Sequence, residues 1–406
     1  MKKQILVLAV AATCFTACRE DIPQLNRPED WLFTDKAADE FEMYWSAMNH
    51  NYVFWDVDTT DWDEVYRTYK PKFEALDNDT LLSEEDKRVG AFELYKELTS
   101  TLVDGHYAIL FNDGTSIYPS GERNKDKTTP VLWLKYTDEF LSVCRKRMKE
   151  PVFFEKTEAD GETTEFLAAS GLIEVNGGTV PYFFFSAFSL LENFAVYDDL
   201  VSLFGNFRAN TLRPDVKGII IDVRGNGGGD AREPGFILGY LADREFTFAY
   251  TRSKAGEGRL DYTPWTPFRV IPQEGAIGFT VPIIILADIN SVSCSELITM
   301  GVKALPNGNG VSIGKTTHGG HGALILNAAY NGGQFTTLTF FNSQEYSQYV
   351  RWVYTSSEMT KTAFDGKVYE GKGLPPDIDV DLDIDRYMDG YDTQLERAID
   401  YINSSN

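Results

Sequence analysis

The chain has 406 residues, a formal net charge of −23, 43% hydrophobic and 14% aromatic residues. That content supports a large core, read as one catalytic domain with a smaller appended one. The acidity argues against nucleic acid and against a basic-patch membrane contact, and no spacing of Cys, His, Asp or Glu suggests a metal site.

The chain opens with Lys2 and Lys3 and an apolar stretch over residues 5–12. Phe15-Thr-Ala-Cys18 then reads as a lipoprotein cleavage box with Cys18 as lipid acceptor, giving a signal over 1–18 and a tether over 19–30. An ordinary secretory signal is the other reading, and both export the protein. The later apolar run over 281–287 is far too short to span a bilayer. Membrane contact is therefore expected through the lipid anchor only, on the outer membrane of a cell envelope, with the facing side open. Of the four cysteines, Cys14 leaves with the signal and Cys18 carries lipid. Cys144 and Cys294 pair only if the fold brings them together.

Residues 31–106 read as a helical bundle. One helix covers 35–52 with Phe41, Tyr44, Trp45, Met48 and Tyr52 on one face. A second covers 61–73 with Trp62, Val65, Tyr66 and Tyr69 inward, and Ser83-Glu-Glu-Asp86 caps a third running through Phe92, Tyr95, Leu98 and Leu102. These aromatic stripes are core. Residues 107–180 read as a short, mainly β region, with alternating stretches at 131–136 and 140–143 as strands and a hairpin turn at Asn176-Gly-Gly178. Another apolar run covers 180–188. Strands and helices then alternate through 181–406, which argues for an α/β core ending in an amphipathic helix over 392–402.

Two segments of that core carry chemistry. The first is Gly218-Ile-Ile-Ile-Asp-Val-Arg-Gly-Asn-Gly-Gly-Gly229, a buried strand ending in a glycine loop that brings backbone N–H groups near a substrate. The second covers 281–298, a buried strand running through a polar turn, Ser291-Val-Ser-Cys-Ser-Glu296, into a helix. A hydroxyl at a helix N-terminus sits among unpaired N–H groups at the positive end of the dipole, which suits a nucleophile whose reaction creates an oxyanion. A helix-capping serine is the plainer reading of that cluster; the glycine loop tips the balance to acyl transfer. Four histidines are available as base: His50 at a helix end, read as a surface residue, His106 after the Asp-Gly turn, and His318 and His321 in a glycine loop.

Asp104-Gly-His106, Asp222-Val-Arg-Gly-Asn-Gly-Gly-Gly229, the serine cluster and Gly371-Lys-Gly-Leu-Pro-Pro-Asp-Ile378 stand in an order that resembles the C-terminal processing (tail-specific) and tricorn-core serine peptidases. The likeness runs from about residue 35 to the C-terminus. It implies a ClpP-crotonase-like α/β core, Ser293 as nucleophile, and an oxyanion hole from the N–H of Cys294 with Gly227 or Gly228. One branch of that family uses a lysine base in a Gly-Glu-x-Thr-x-Gly-Lys loop. The matching loop here, Gly314-Lys-Thr-Thr-His-Gly-Gly320, has glycine at that place, and Lys315 comes too early. The resemblance therefore implies the tricorn-like branch, with His106 as base and Glu370 orienting it; the serine that precedes that histidine in the family is here Gly105. A histidine titrates near working pH, and a carboxylate partner fixes its tautomer. His318 or His321 is the rival base, within reach of Ser293 from its own loop, or else both line the cleft. The peptide-binding PDZ module of many relatives is reduced or absent. The expected partner is a peptide or unfolded protein, with no cofactor and no metal, and the oligomeric state is not legible. A catalytically silent peptide-binding lipoprotein and an esterase or other acyl hydrolase are the alternative functions.

Overall fold

The computed structural model describes residues 36–127, 129–158, 164–256, 258–323, 333–335 and 349–405. The signal, the lipid-acceptor Cys18 and the tether lie outside the described residues. Three helices open the chain: α1 (Ala37–Asn51), α2 (Trp62–Asn78) and α3 (Glu84–Thr99). Asp61 caps α2 by accepting the Glu64 N–H at 2.9 Å. Ser83 and Asp86 form a reciprocal capping box on α3, each side chain accepting the other's N–H at 3.1 Å. The aromatic stripes meet in one cluster, with Phe41 stacked on Phe73 at 4.8 Å and Tyr44 edge-on to Tyr95 at 5.1 Å.

That cluster also takes in three strands of a small sheet. Strands β1 (Ala108–Phe111), β2 (Ser116–Ile117), β11 (Gly333–Phe335) and β12 (Val350–Thr355) run in the order β11-β12-β1-β2. Buried Glu40 of α1 accepts the N–H groups of Tyr349 and Val350 at 3.0 and 2.7 Å, which fixes the bundle to β12. A three-stranded sheet, order β13-β7-β8, joins β7 (Phe246–Ser253), β8 (Thr266–Val270) and β13 (Glu358–Thr362).

The centre is a seven-stranded sheet of order β14-β10-β9-β6-β5-β4-β3. Its strands are β3 (Lys149–Thr157), β4 (Thr164–Val175), β5 (Gly178–Phe185), β6 (Ile219–Asp222), β9 (Ile283–Ala287), β10 (Gly310–Gly314) and β14 (Ile378–Asp379). From β5 to β14 neighbouring strands are parallel, and β6 pairs with β9 in the register Ile219↔Ile283 to Asp222↔Leu286. Parallel strands are covered on both faces, so they read as unbroken apolar runs. Ile219, Ile221, Ile283 and Ile285 enter one core, and Ile220, Ile284 and Leu286 the other. The second core is closed by the C-terminal helix, Thr393–Ser405, through Leu395, Ala398, Ile399 and Ile402, spaced for one helical face.

The architecture is mixed α/β with a helical N-terminal region. The stretches at 131–136 and 140–143 are not strands. They form a one-turn helix, Leu132–Lys135, and an amphipathic helix, α4 (Thr137–Arg147), whose Phe140, Val143 and Cys144 sit at i, i+3 and i+4 and face the sheet. The region 107–180 thus mixes helices with strands, and β3 and β4 extend the central sheet. Asn176-Gly177 does make the two-residue β4–β5 turn, with Val175 opposite Gly178. Cys144 and Cys294 are buried and unpaired, in the two cores on opposite faces of the sheet. His50, expected at the surface, is half-buried at the end of α1. Among the described residues no helix is long and apolar enough to cross a membrane.

Candidate active site

Strands β6 and β9 end side by side, and the turns that follow are stitched together. Asp288 Oδ1 accepts the Gly225 and Asn290 N–H groups at 3.0 and 2.9 Å. Ser291 Oγ donates to Val223 O and Ser295 Oγ to Asn226 O, both at 2.7 Å. Both hydroxyls are fully buried in these bonds. Ser293 lies between them, half-buried, at the N-cap of the helix Cys294–Lys303. Its backbone has φ 58° and ψ −114°, one of two positive-φ non-glycine residues among those described. An L-residue held there is strained by roughly 1–3 kcal/mol, and such strain collects at functional sites.

Glu296 explains how the strain is held. Its fully buried carboxylate accepts Thr317 Oγ1 at 2.6 Å, Gly319 N at 2.9 Å, Gly320 N at 2.7 Å and Ser293 N at 3.3 Å. Ser293 N–H also donates to Gly320 O at 2.9 Å. One carboxylate thus locks the serine turn to the 317–320 loop. Burial raises its pKa, and these hydrogen bonds oppose the rise. The sequence marks Glu296 only by its spacing from Ser293.

The oxyanion candidates sit on both sides. Gly228 has φ 100°, and a Cβ there would lie 2.7 Å from Ser293 Cβ and 3.2 Å from Cys294 N. Its N–H donates to Asn226 Oδ1 at 2.9 Å, so to serve an oxyanion it must share or leave that bond. Gly227 is exposed, with open space where a Cβ would stand. Burial pushes the neighbouring Cys294 thiol up to about 12, which keeps it from competing as a nucleophile.

His106 follows a turn that packs on the same 317–320 loop. Gly105 packs so closely on the 317–320 loop that a Cβ on it would come within 2.3 Å of Gly320 Cα. Glu370 Oε1 accepts the Gly105 N–H at 2.7 Å, and Oε2 accepts those of His321 and Gly322 at 3.0 and 2.9 Å. Asp104, His106 and Glu370 each bring a side-chain N or O within 4.8 Å of the others. Burial holds His106 below the usual histidine range, against an upward pull from Asp104. Glu370 lies well above the carboxylate range, from burial and then from the Asp104 charge.

Asp104 is the residue the sequence reading passed over. It is buried and accepts His106 N at 2.9 Å, Ser356 Oγ and N at 2.8 Å each, and Thr355 Oγ1 at 2.9 Å. The turn it belongs to hangs from the N-terminal bundle, where Tyr52 Oη accepts the Val103 and Asp104 N–H groups at 3.1 and 3.2 Å and donates to Asp58 at 2.6 Å. The only sequence signal was its place in the Asp-Gly-His turn.

The two loop histidines are placed apart. His318 lies against Asn124, whose amide nitrogen is 3.3 Å from its Nδ1. His321 is fully buried, with Nε2 3.2 Å from Thr360 O and Nδ1 3.3 Å from Glu370 Oε2. Burial pushes its pKa to about 3. Lys315 pairs with Asp379 and Asp381 at 2.7 and 2.8 Å. Arg224 ties the glycine-loop strand to the terminal helix, with Nη2 2.6 Å from Asp222 and 2.8 Å from Asp392.

Beneath the glycine loop, Glu233 is buried, with Oε1 accepting Leu191 N at 2.7 Å and Oε2 unpartnered. Burial moves its pKa from 4.5 to about 7. The folded state therefore keeps a proton that the unfolded chain releases at lower pH. The resulting stability is whole below pH 4.5 and is lost as pH climbs to about 7. Denaturant melts across that window should show Glu233→Gln flattening the loss by on the order of 2 kcal/mol. Parallel pH slopes for the two proteins would refute this.

Residues 187–380 match the model of peptidase family S41. Among solved structures the chain is similar to a candidate peptidase from Parabacteroides merdae, at 22% identity and a TM-score of 0.62, over 91% of this chain and 97% of that one. It is also similar to mature CPAF complexed with lactacystin, at 11% identity and a TM-score of 0.57, over 91% and 97%. At such identities the likeness speaks for the fold. No curated protein matches the sequence.

Proposed function

We infer that this chain, whose residues 187–380 match the model of peptidase family S41, is a serine-type peptidase with a His-Ser-Glu mechanism, acting on peptides or unfolded proteins in the cell envelope. Ser293 Oγ attacks the peptide carbonyl, His106 takes its proton and returns it to the leaving amine, and Glu370 orients the ring. The N–H of Cys294, with that of Gly227 or Gly228, receives the oxyanion; one such donor is worth about 100–1000-fold in turnover.

The observation that carries this reading is the state of the serine cluster. Ser291 and Ser295 spend their hydroxyls on buried structural bonds, while Ser293 is held half-buried at φ 58° against the glycine loop. A serine serving only as a helix cap has no need of that conformation. Glycine at position 320, where the lysine-base branch carries its lysine, and the nearness of Glu370 to His106 favour the histidine base. Cys18 supplies the lipid anchor in this proposal.

Labelling by a fluorophosphonate probe tests it. Wild type should label, and Ser293→Ala and His106→Ala should both fail to. Loss in Ser293→Ala alone would move the base to His318 or His321. Palmitate labelling of the same proteins should vanish in Cys18→Ala; its survival would remove the anchor from the proposal.

A further inference from the structure

His321 faces more acceptors than a neutral ring can satisfy. Its side chain is fully enclosed, and each ring nitrogen meets an oxygen. Nε2 lies 3.2 Å from the Thr360 carbonyl, and Nδ1 lies 3.3 Å from Glu370 Oε2. A neutral imidazole carries one N–H, and a carbonyl oxygen only accepts. With that hydrogen on Nε2, the Nδ1 lone pair stands against a carboxylate oxygen and makes no hydrogen bond among the described residues. With it on Nδ1, the conflict passes to Thr360. One further proton, between Nδ1 and Oε2, settles both contacts.

The surroundings divide that proton between the two groups. Burial pushes His321 down to about 3 and Glu370 well above the carboxylate range, which draws the proton toward Oε2. The N–H groups of His321 and Gly322, which Oε2 accepts, draw it back toward Nδ1. Wherever along the contact it rests, the pair carries no net charge. Asp104 is placed differently. Its two oxygens accept four donors, the Thr355 and Ser356 hydroxyls and the Ser356 and His106 N–H groups, an arrangement that suits an anion. One side-chain N or O each of Asp104, His106 and Glu370 lies within 4.8 Å of the others. The charge that pulls His106 upward against burial is that of Asp104.

We propose that Glu370 and His321 share one proton as a net-neutral pair, which leaves Asp104 as the one net negative charge beside His106. This rests on the reading of His106 as the base. Asp104 and His321 are then positioning residues. His321 keeps Glu370 from adding a second charge, and Asp104 steadies the imidazolium formed when His106 takes the Ser293 proton. The other titratable groups around this nest are His318, Glu296, and Tyr52 with Asp58 behind Asp104.

The test uses the full chain. In Ser293→Ala, which cannot digest itself, NMR with isotope-labelled histidine should show a low-field proton at His321 Nδ1 at neutral pH. The signal should survive addition of His106→Ala and vanish on addition of His321→Asn. An Nδ1 free of any hydrogen bond overturns the proposal, and this readout leaves the nest intact. In fluorogenic-peptide turnover, Asp104→Asn should move the acid limb of kcat/KM to lower pH by about 1–3 pH units. The sign follows because His106 works unprotonated, and losing an anionic neighbour makes it release its proton more readily. Glu370→Gln should lower kcat yet leave the limb in place, since it changes no net charge. A limb that follows Glu370→Gln and ignores Asp104→Asn overturns the proposal while the His106 reading stands. Fluorophosphonate labelling that persists in His106→Ala removes that reading instead, and the Nδ1 signal then decides the shared proton alone.

Discussion

Ser293→Ala should lower peptide turnover by about 10⁶-fold, and adding His106→Ala should cost little further. The two residues act as one device, because a serine hydroxyl is a poor nucleophile until a base takes its proton in the attack. Once either is gone, what remains is binding and oxyanion stabilisation, which the second substitution does not touch. The thermal midpoint should barely move with Ser293→Ala, since the bonds fixing the turn run through the Ser293 backbone and through Ser291, Ser295 and Glu296. Turnover of a fluorogenic peptide by the two single variants and the double variant is the measurement. Losses that multiply would mean that Ser293 and His106 work independently, and the pairing would fall.

Gly228→Ala should be the next most damaging change. A Cβ at this position meets Ser293 Cβ at 2.7 Å and Val292 O at 3.0 Å, and the backbone sits at φ 100°, where L-residues are strained. The loop can relieve the clash only by backing away from the nucleophile, which spoils the donor geometry. A loss of about 100–1000-fold in kcat is expected, with about 1–3 kcal/mol of stability. Gly227→Ala is the internal control. It keeps its N–H and meets nothing within 4 Å, so it should stay near wild type. Equal damage from both alanines would show that the loop tolerates no side chain anywhere, and the contact with Ser293 would lose its meaning.

These residues also show what was legible in the sequence. The strands around 219–222 and 283–287 were plain because both faces are buried, so the apolar run is unbroken. Ser293 could be singled out because the glycine loop and serine turn lie in continuous segments. Residues 140–143 misled because Phe140 and Val143 face the sheet while Leu141 is only partly buried against it, and four residues cannot separate the two periods. Asp104 and Glu370 were harder still. Their partners lie some 250 residues away, at Thr355 and Ser356 for Asp104 and at Gly105 for Glu370. No local pattern encodes a contact of that span.

The hydrogen bonds that Tyr52 accepts from the Val103 and Asp104 N–H groups bear on how such a chain is made. The segment 187–380 holds Ser293 and Glu370 but not His106, which is suspended from the N-terminal bundle. On the His106 reading, the half of the machinery synthesised first holds no nucleophile, and the half synthesised last holds no base. Cleaving power then arises only when the two parts dock, after nearly the whole polypeptide has left the ribosome. Activity is in this way tied to completion of the fold, and neither part alone can cleave a peptide bond.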